Sequence, residues 1–415
     1  MSIDPLTRNA LIRGVAAFAI VLSVGSAAVF ASQRLDGGGT DGPPSPTAAV
    51  TTPPQPAPGT ETPEAWLAWV PGGLPDGFGS EMMAVPAIDD TTTATADIAW
   101  LTSSTDAHGN VVDRPSSPYM IPIDTTGVDL AFASFLQQPE RRLVANLEQG
   151  QGILSESEAK LRGLGADSTL TFSTGKEVSI VGTLPDVLMG GYELLVGQST
   201  GERIGVTHER YVLFHVRSYA HATSQDLAQR LVPYLPVDVA YPFVEVRAPG
   251  ETTYLRANDR EAPPIVLKER FGEFDAYPAP NAARKIVIDT PWVQTHIASD
   301  DLPVIGTVQC NTVALDLLRR AMNQLRTKGQ GADVNGFGPC WDPLSDATGP
   351  DGPLTGAPFG ASIELNPGSN PPGSTPEQPP SLIAVMTRWG FGWAGRDAYR
   401  QGALFRFHAR SVARD

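Results

Sequence analysis

Alternation of hydrophobic and polar positions predicts a series of short elements between residues 155 and 231. Ser155 and Glu158 form a capping-box pattern, which predicts a helix that ends at Gly163. Four segments alternate as strands do, and the first two surround a turn and predict a hairpin: 169–172, 177–181, 192–196 and 210–216. Ser224 is predicted to cap a helix that runs to Leu231.

Helical periodicity marks the last third of the chain. Apolar residues recur at helical spacing over 310–328, and Gly329 ends the pattern: Val313, Leu317, Ala321 and Leu325. Pro379 and Pro380 precede a second predicted helix over 381–387. The helix over 310–328 is interpreted as core scaffold.

The first 33 residues set the expected location of the chain. Arg8 and Arg13 precede an uncharged run over 14–33, which is just long enough to cross a bilayer at about 1.5 Å per residue. The positive charges predict a cytoplasmic N-terminus and a single-pass membrane anchor. A cleaved signal peptide is the alternative, because 29–31 is an acceptable cleavage site. In both cases the remainder lies outside the cell.

Composition narrows the function further. Residues 34–63 form a linker rich in proline, glycine and threonine, which predicts a semi-rigid spacer. The 415-residue chain has a net charge of −15, which argues against a nucleic-acid partner held through phosphates. Cys310 and Cys340 are the two cysteines, too few for a zinc cluster and suited to one disulfide in an exported protein.

The middle of the chain carries motifs of a transport family. They are the segment 154–156, the residues Leu161, Gly163, Leu164, Gly165 and Gly182, and the segment 190–196, which reads GGYELLV. In this order they resemble the extracytoplasmic core domain of MacB/FtsX-type permeases. That family places the domain between membrane helices, whereas this chain has one hydrophobic span. The resemblance therefore implies a transporter partner, and the chain is not predicted to be a permease itself.

A second set of motifs runs from Arg284 to His408. It comprises RKIVID at 284–289, PWV at 291–293, GTVQC at 306–310, GPCW at 338–341, APFGASIE at 357–364, RWGF at 388–391, WAG at 393–395 and QGALFR at 401–406. Their order and spacing resemble the D-alanyl-D-alanine carboxypeptidases and L-alanyl-D-glutamate endopeptidases of the VanY type. The resemblance implies an antiparallel sheet with helices and a zinc site.

The departures from that family are concentrated in the zinc chemistry. The resemblance places Ala357 and Leu404 at the two histidine positions, Glu364 at the aspartate position and Gln401 at the general-base position. A catalytic zinc needs about three protein ligands, and alanine and leucine have no lone pair to donate. An amide cannot take a proton from water at neutral pH. These four vestigial positions predict an inactive site with no metal and no cofactor.

Other residues near the vestigial site are candidates for ligand contact. They are Trp341, Phe359, Glu364 and Arg406. Arg406 stands where the family has an acid, and we expect it to pair with Glu364 and close the site. Leu344 occupies the position of the arginine that would hold a substrate carboxylate.

The fold class predicted is α+β, with two extracellular α+β domains behind a single N-terminal transmembrane helix. The predicted divisions are 1–33 anchor or signal, 34–63 linker, 64–246 MacB-like domain, 247–283 transition and 284–415 degenerate peptidase-like domain. The function predicted is a membrane-anchored pseudo-peptidase that binds a peptidoglycan stem peptide, a wall enzyme or a transport partner. The alternative is an active zinc-dependent carboxypeptidase with non-standard ligands, and zinc would be its cofactor.

Overall fold

The strands and helices alternate along the chain in a mixed α+β order. This computed structural model describes residues 65–217, 221–239, 242–280, 282, 284–341, 354–397 and 400–412. The strands are β1 Trp66–Trp69, β2 Ile88–Thr105, β3 Val111–Asp113, β4 Ile121–Val128, β5 Gln151–Ser155, β6 Thr169–Phe172, β7 Glu177–Leu184, β8 Leu194–Gly197, β9 Glu209–Val216, β10 Glu245–Arg247, β11 Ala276–Pro278, β12 Ile286–Ile288, β13 Ile297–Leu302, β14 Gly306–Asn311, β15 Ser362–Glu364, β16 Trp389–Trp393 and β17 Leu404–Val412. The helices are α1 Phe78–Glu81, α2 Glu140–Ala145, α3 Glu156–Arg162, α4 Gln198–Ile204, α5 Ser224–Leu231, α6 Pro264–Phe271, α7 Thr290–His296, α8 Thr312–Thr327 and α9 Pro380–Arg388.

The long strand β2 belongs to a closed barrel and to an open sheet at once. Its second half pairs with β4 and with β6, and the pairings β4–β8, β8–β5, β5–β7 and β7–β6 complete the ring. Its first half pairs with β9, and β1 and β10 extend this open sheet antiparallel. Closure leaves the barrel strands without free edges and fills the interior with apolar side chains.

Two local predictions in this part are confirmed and one is corrected. The predicted hairpin forms, with β6 and β7 paired antiparallel. Helix α3 begins after Ser155, whose hydroxyl accepts a hydrogen bond from the Glu158 amide at 3.1 Å. Helix α5 is capped one residue earlier than predicted, because Thr223 and Asp226 satisfy each other's backbone amides in a complete capping box.

The C-terminal part packs its helices α8 and α9 against small antiparallel sheets. The sheets are the hairpins β11–β12 and β13–β14 and a three-stranded sheet in the order β15–β17–β16. Helix α8 starts at Thr312 and not at Cys310 as predicted, because Asn311 caps it by accepting a hydrogen bond from the Val313 amide at 3.0 Å. Cys310 therefore lies on strand β14.

The described residues all belong to one compact unit. The segment 247–283, predicted as a transition, contains α6 and β11, and Ala276 forms a bridge with Met120 beside the barrel. No helix in the described part of the chain is both long and apolar enough to cross a membrane. The predicted span at 14–33 lies outside the described residues.

Candidate functional site

The three-stranded sheet brings two of the four predicted motif positions together. Strands β15 and β17 pair so that Glu364 lies directly opposite Leu404 and Ser362 lies opposite Arg406. Directly opposed residues of an antiparallel pair have their β-carbons about 5 Å apart. The carboxylate at one motif position therefore faces a hydrocarbon side chain at another.

Glu364 is half-buried and rests against the backbone of Gly338. A β-carbon at Gly338 would lie 3.0 Å from the Glu364 Oε2 atom, so the glycine allows this close approach. The Gly338 amide also donates to the Glu364 carbonyl at 2.9 Å. Ala357 and Gln401 both lie in turns, where their carbonyls accept from the Gly360 and Leu404 amides at 3.0 Å.

Arg406 does not pair with Glu364, contrary to the sequence expectation. Its guanidinium binds Asp397 at 2.6 Å and Glu261 at 3.4 Å, and the residue is only 5% exposed. Burial acts to lower the pKa of Arg406, but Glu261 and Asp397 outweigh it and raise that pKa. Arg406 is thus a neutralised cation that joins β17 to the segment before α6.

The two aromatic candidates occupy different environments. Phe359 is 0% exposed and packs on the Phe274 ring with centroids 4.8 Å apart, and its contact with a ligand stays a prediction. The whole surface of the Phe359 side chain is covered by neighbouring core residues. Trp341 is half-buried, and its backbone amide donates to the Gln309 carbonyl at 3.0 Å. The predicted carboxylate-binding position, Leu344, lies outside the described residues.

Cys310 and Cys340 form the expected disulfide, with α-carbons 5.1 Å apart. Because Cys310 lies on β14, the bond ties this strand to the segment just before Trp341. The disulfide therefore joins a strand to a loop. Both sulfur-bearing residues are buried.

The described residues contain no group of three or more histidine, cysteine, aspartate or glutamate side chains that could hold a metal ion. The carboxylate of Glu364 is accompanied at the other three vestigial positions by alanine, glutamine and leucine. This donor set does not fit a catalytic zinc, which needs about three protein ligands.

A buried ion network, which the sequence analysis missed, lies where the barrel meets α6. Lys268 Nζ lies 2.7 Å from Glu193 and 2.9 Å from Glu273, and it also donates to the Pro122 carbonyl at 2.7 Å. Arg256 binds Asp124 at 2.9 Å, and its guanidinium lies over the Tyr192 ring. Arg162 extends the network through Glu158, Glu273 and Asp113.

The charge state of each group in this network depends on ion-pair partners that are distant in sequence. Burial raises the pKa of Glu193 to about 8, although Lys268 acts in the opposite direction. Burial also acts to lower the pKa of Lys268, but Glu193 and Glu273 outweigh it, so that pKa is raised. The sequence signal for Glu193 is a lone charge inside an apolar run, as in GGYELLV, whereas Lys268 stands in the charged run KER and gives no such signal.

Asp275 lies beside the same network and gives a prediction on pH. Burial, with Asp289, Glu273 and Asp113 nearby, raises the pKa of Asp275 to about 6. The folded state therefore holds its proton more tightly than the unfolded state, and stability is lost as pH rises from about 4 to about 6. We expect Asp275→Asn to raise the free energy of unfolding at pH 7.5 by about 1 kcal/mol, allowing for partial solvent screening.

Urea unfolding at pH 7.5 and pH 4 measures this effect. The gain should shrink strongly at pH 4, where Asp275 is protonated in the folded state and partly protonated in the unfolded state. Asp301→Asn, at an exposed position on β13, is the matched control and should give no gain at either pH. An equal gain at both pH values would contradict the electrostatic cause.

The absence of an Arg406–Glu364 pair also has a measurable result. Glu364→Ala is expected to change the free energy of unfolding by no more than about 0.5 kcal/mol, as at other sites without a specific partner. Arg406→Met, which leaves Asp397 and Glu261 without their shared cation, is the contrasting variant and should destabilise clearly. Thermal unfolding of both variants tests the two statements together.

Comparison with known proteins gives structural neighbours. One is the periplasmic region of MacB from Actinobacillus actinomycetemcomitans, with a TM-score of 0.30 and 12% identity over 45% of this chain and 90% of that chain. Another is the extracellular domain of the noncanonic ABC-type transporter YknZ from Gram-positive bacteria, with a TM-score of 0.27 and 11% identity over 41% and 93% of the two chains. No family model and no curated protein matches the sequence.

Proposed function

We propose that this chain is an exported, membrane-tethered binding protein whose C-terminal sheet keeps a peptidase-like scaffold without hydrolytic chemistry. The observation that carries the proposal is the direct pairing of Glu364 with Leu404 across β15 and β17. Two motif positions are adjacent as a metal site requires, but one of them offers only hydrocarbon. Wall peptides, a wall enzyme and a membrane transporter are the proposed partners.

The disulfide supports the proposed location. Disulfides persist in oxidising compartments and are rare in the cytosol, so a buried Cys310–Cys340 bond fits the exterior of the cell. The proline-rich linker over 34–63 would then hold the compact unit at a distance from the membrane.

Zinc content and wall binding test the proposal separately. The purified full-length chain in detergent is loaded with zinc, desalted and analysed, and we expect metal well below one zinc per chain. Near-stoichiometric zinc would favour the active peptidase instead. Pelleting with purified wall sacculi should show saturable binding, and its absence would remove the wall-peptide partner.

Trp341 offers a point variant for the binding assay. Trp341→Leu should weaken sacculus binding if the half-buried indole contacts the peptide, since aromatic side chains dominate binding surfaces. Val112→Ala, at an exposed apolar position on β3, is the control and should bind as the unchanged chain does. Equal binding by both variants would place the wall contact elsewhere.

A further inference from the structure

Strand β10 ends the open sheet and has a partner on one side. It pairs antiparallel with β1, Val246 opposite Ala68 and Arg247 opposite Leu67. Among the strands of the described ranges, none pairs with its other side, where the strand order stops. An unpaired strand edge presents backbone amides and carbonyls that can hydrogen-bond another chain.

A cleft of about 590 Å³ runs along this strand, and we call it the β10 cleft. Its lining includes all of β10, three residues of α5 (Ser224, Gln225 and Ala228), the segments 251–254 and 259–263, and His408 of β17. The volume is within the range of ligand sites. Helix α5 and the segments 251–254 and 259–263 all border the cleft. A single extended chain therefore fits between them better than the edge of another sheet would.

The charges of the cleft are unbalanced. Four acidic side chains line it, against two basic ones; the acids are Glu245, Glu251, Asp259 and Glu261, and the bases are Arg247 and Arg260. Glu251 is exposed, and its carboxylate accepts from the Ala248 amide at 2.8 Å at the end of β10. A ligand with a positive charge is therefore favoured.

Ion pairs hold the lining in place before any ligand arrives. Arg247 binds Glu245 at 2.7 Å and Asp259 at 3.0 Å, and its guanidinium lies 4.8 Å from the centroid of the Trp69 ring. Glu261 is held by buried Arg406 at 3.4 Å. A lining that is already ordered loses less conformational entropy on binding.

We propose that the β10 cleft binds an extended peptide segment of a partner protein, with a basic side chain, as an added strand on β10. Strand addition obtains affinity from main-chain hydrogen bonds and specificity from side-chain pockets, and the cleft supplies an edge and an acidic lining. Glu364, which carries the function proposed above, does not line this cleft. The two proposals can therefore fail independently.

Fluorescence anisotropy with three labelled hexapeptides tests the proposal on the full-length chain in detergent. The probes are KVTVKV, the same peptide N-methylated at alternate backbone amides, and EVTVEV. We expect saturable binding of KVTVKV, and about tenfold weaker binding once N-methylation removes main-chain hydrogen bonds. EVTVEV should bind more weakly than KVTVKV because the lining is acidic.

A matched pair of variants locates the site. Glu251→Gln keeps the hydrogen-bonding capacity but removes the charge, and it should weaken KVTVKV binding about two- to fivefold. Glu202→Gln, at an exposed acid on α4 outside the cleft, should leave it unchanged. Hydrogen exchange should slow in β10 with the probe present.

Several results would overturn the inference. Equal binding of the N-methylated and unmodified probes would exclude strand addition, and equal loss in both glutamine variants would indicate attraction by net charge alone. Lack of saturable KVTVKV binding would mean that the cleft does not accept an extended basic peptide. Dimerisation lost on charge reversal at Glu251 would assign the edge to a second copy of the chain.

Discussion

Lys268→Met is expected to lower the free energy of unfolding by about 3–5 kcal/mol, the usual cost of breaking a buried ion pair from one side. The Lys268 side chain is 1% exposed and is bound to Glu193, which is 0% exposed, and to Glu273. Burial acts to raise the pKa of Glu273, but Lys268 and Arg162 outweigh it and lower that pKa, so Glu273 is the charged partner at pH 7.5. Methionine would fill similar space but leave Glu193 and the Pro122 carbonyl without this donor. Urea unfolding at pH 7.5, followed by circular dichroism, gives the measurement.

Two further variants separate the ion pair from general effects of removing a lysine. Lys176→Met, at the exposed β6–β7 turn, should change stability by less than about 0.5 kcal/mol. Adding Glu273→Gln to Lys268→Met should recover part of the loss, because the amide carries no charge that needs neutralising. A loss below about 1 kcal/mol for Lys268→Met would show that the network contributes little to folding.

Replacing both Cys310 and Cys340 by serine is expected to lower the free energy of unfolding by about 3–4 kcal/mol. The two cysteines are separated by 30 positions, and cross-linking a loop of that length removes a corresponding amount of conformational entropy from the unfolded chain. Because β14 leads directly into α8, the loss should also loosen the start of that helix. Urea unfolding of the double variant measures the effect.

Reduction provides the control for this prediction. The unchanged chain unfolded in urea with a phosphine reductant should match the double-serine variant, whereas the variant should not respond to reductant. Both Cys310 and Cys340 are buried, so the comparison is made at equilibrium after reduction in the unfolded state. A variant as stable as the oxidised chain would contradict the expected entropic contribution.

Elements whose signals are local in sequence could be predicted. The Ser155 cap and the β6–β7 hairpin each depend on contacts within a few residues, and both form where the sequence placed them. The Cys310–Cys340 disulfide was predicted from cysteine usage alone. The position of Cys310 on β14 was not predicted, because the helical pattern was extended back to residue 310. The Asn311 cap starts α8 at Thr312 and leaves Cys310 on the strand.

Closure of the barrel and contacts between distant segments could not be predicted from the hydrophobic pattern. Pairing of β2 with β6 closes the barrel, and Lys268 meets the Pro122 carbonyl across 146 residues. Alternation specifies which face of a strand is apolar but does not specify its neighbours. The candidate site also depends on contacts that alternation does not specify. Arg406 forms ion pairs with Glu261 and Asp397, which approach it from other segments of the chain, and not with Glu364.

Strand β1 lies between β9 and β10, so it is an interior strand although it is the first element described. It is antiparallel to both neighbours, and its hydrogen bonds lie perpendicular to the strand direction. A pull on the residues before Trp66 therefore acts along β1 and loads the bonds on both sides in shear, so they must break together. A tether attached at this point would transmit mechanical tension directly into an interior strand of the sheet.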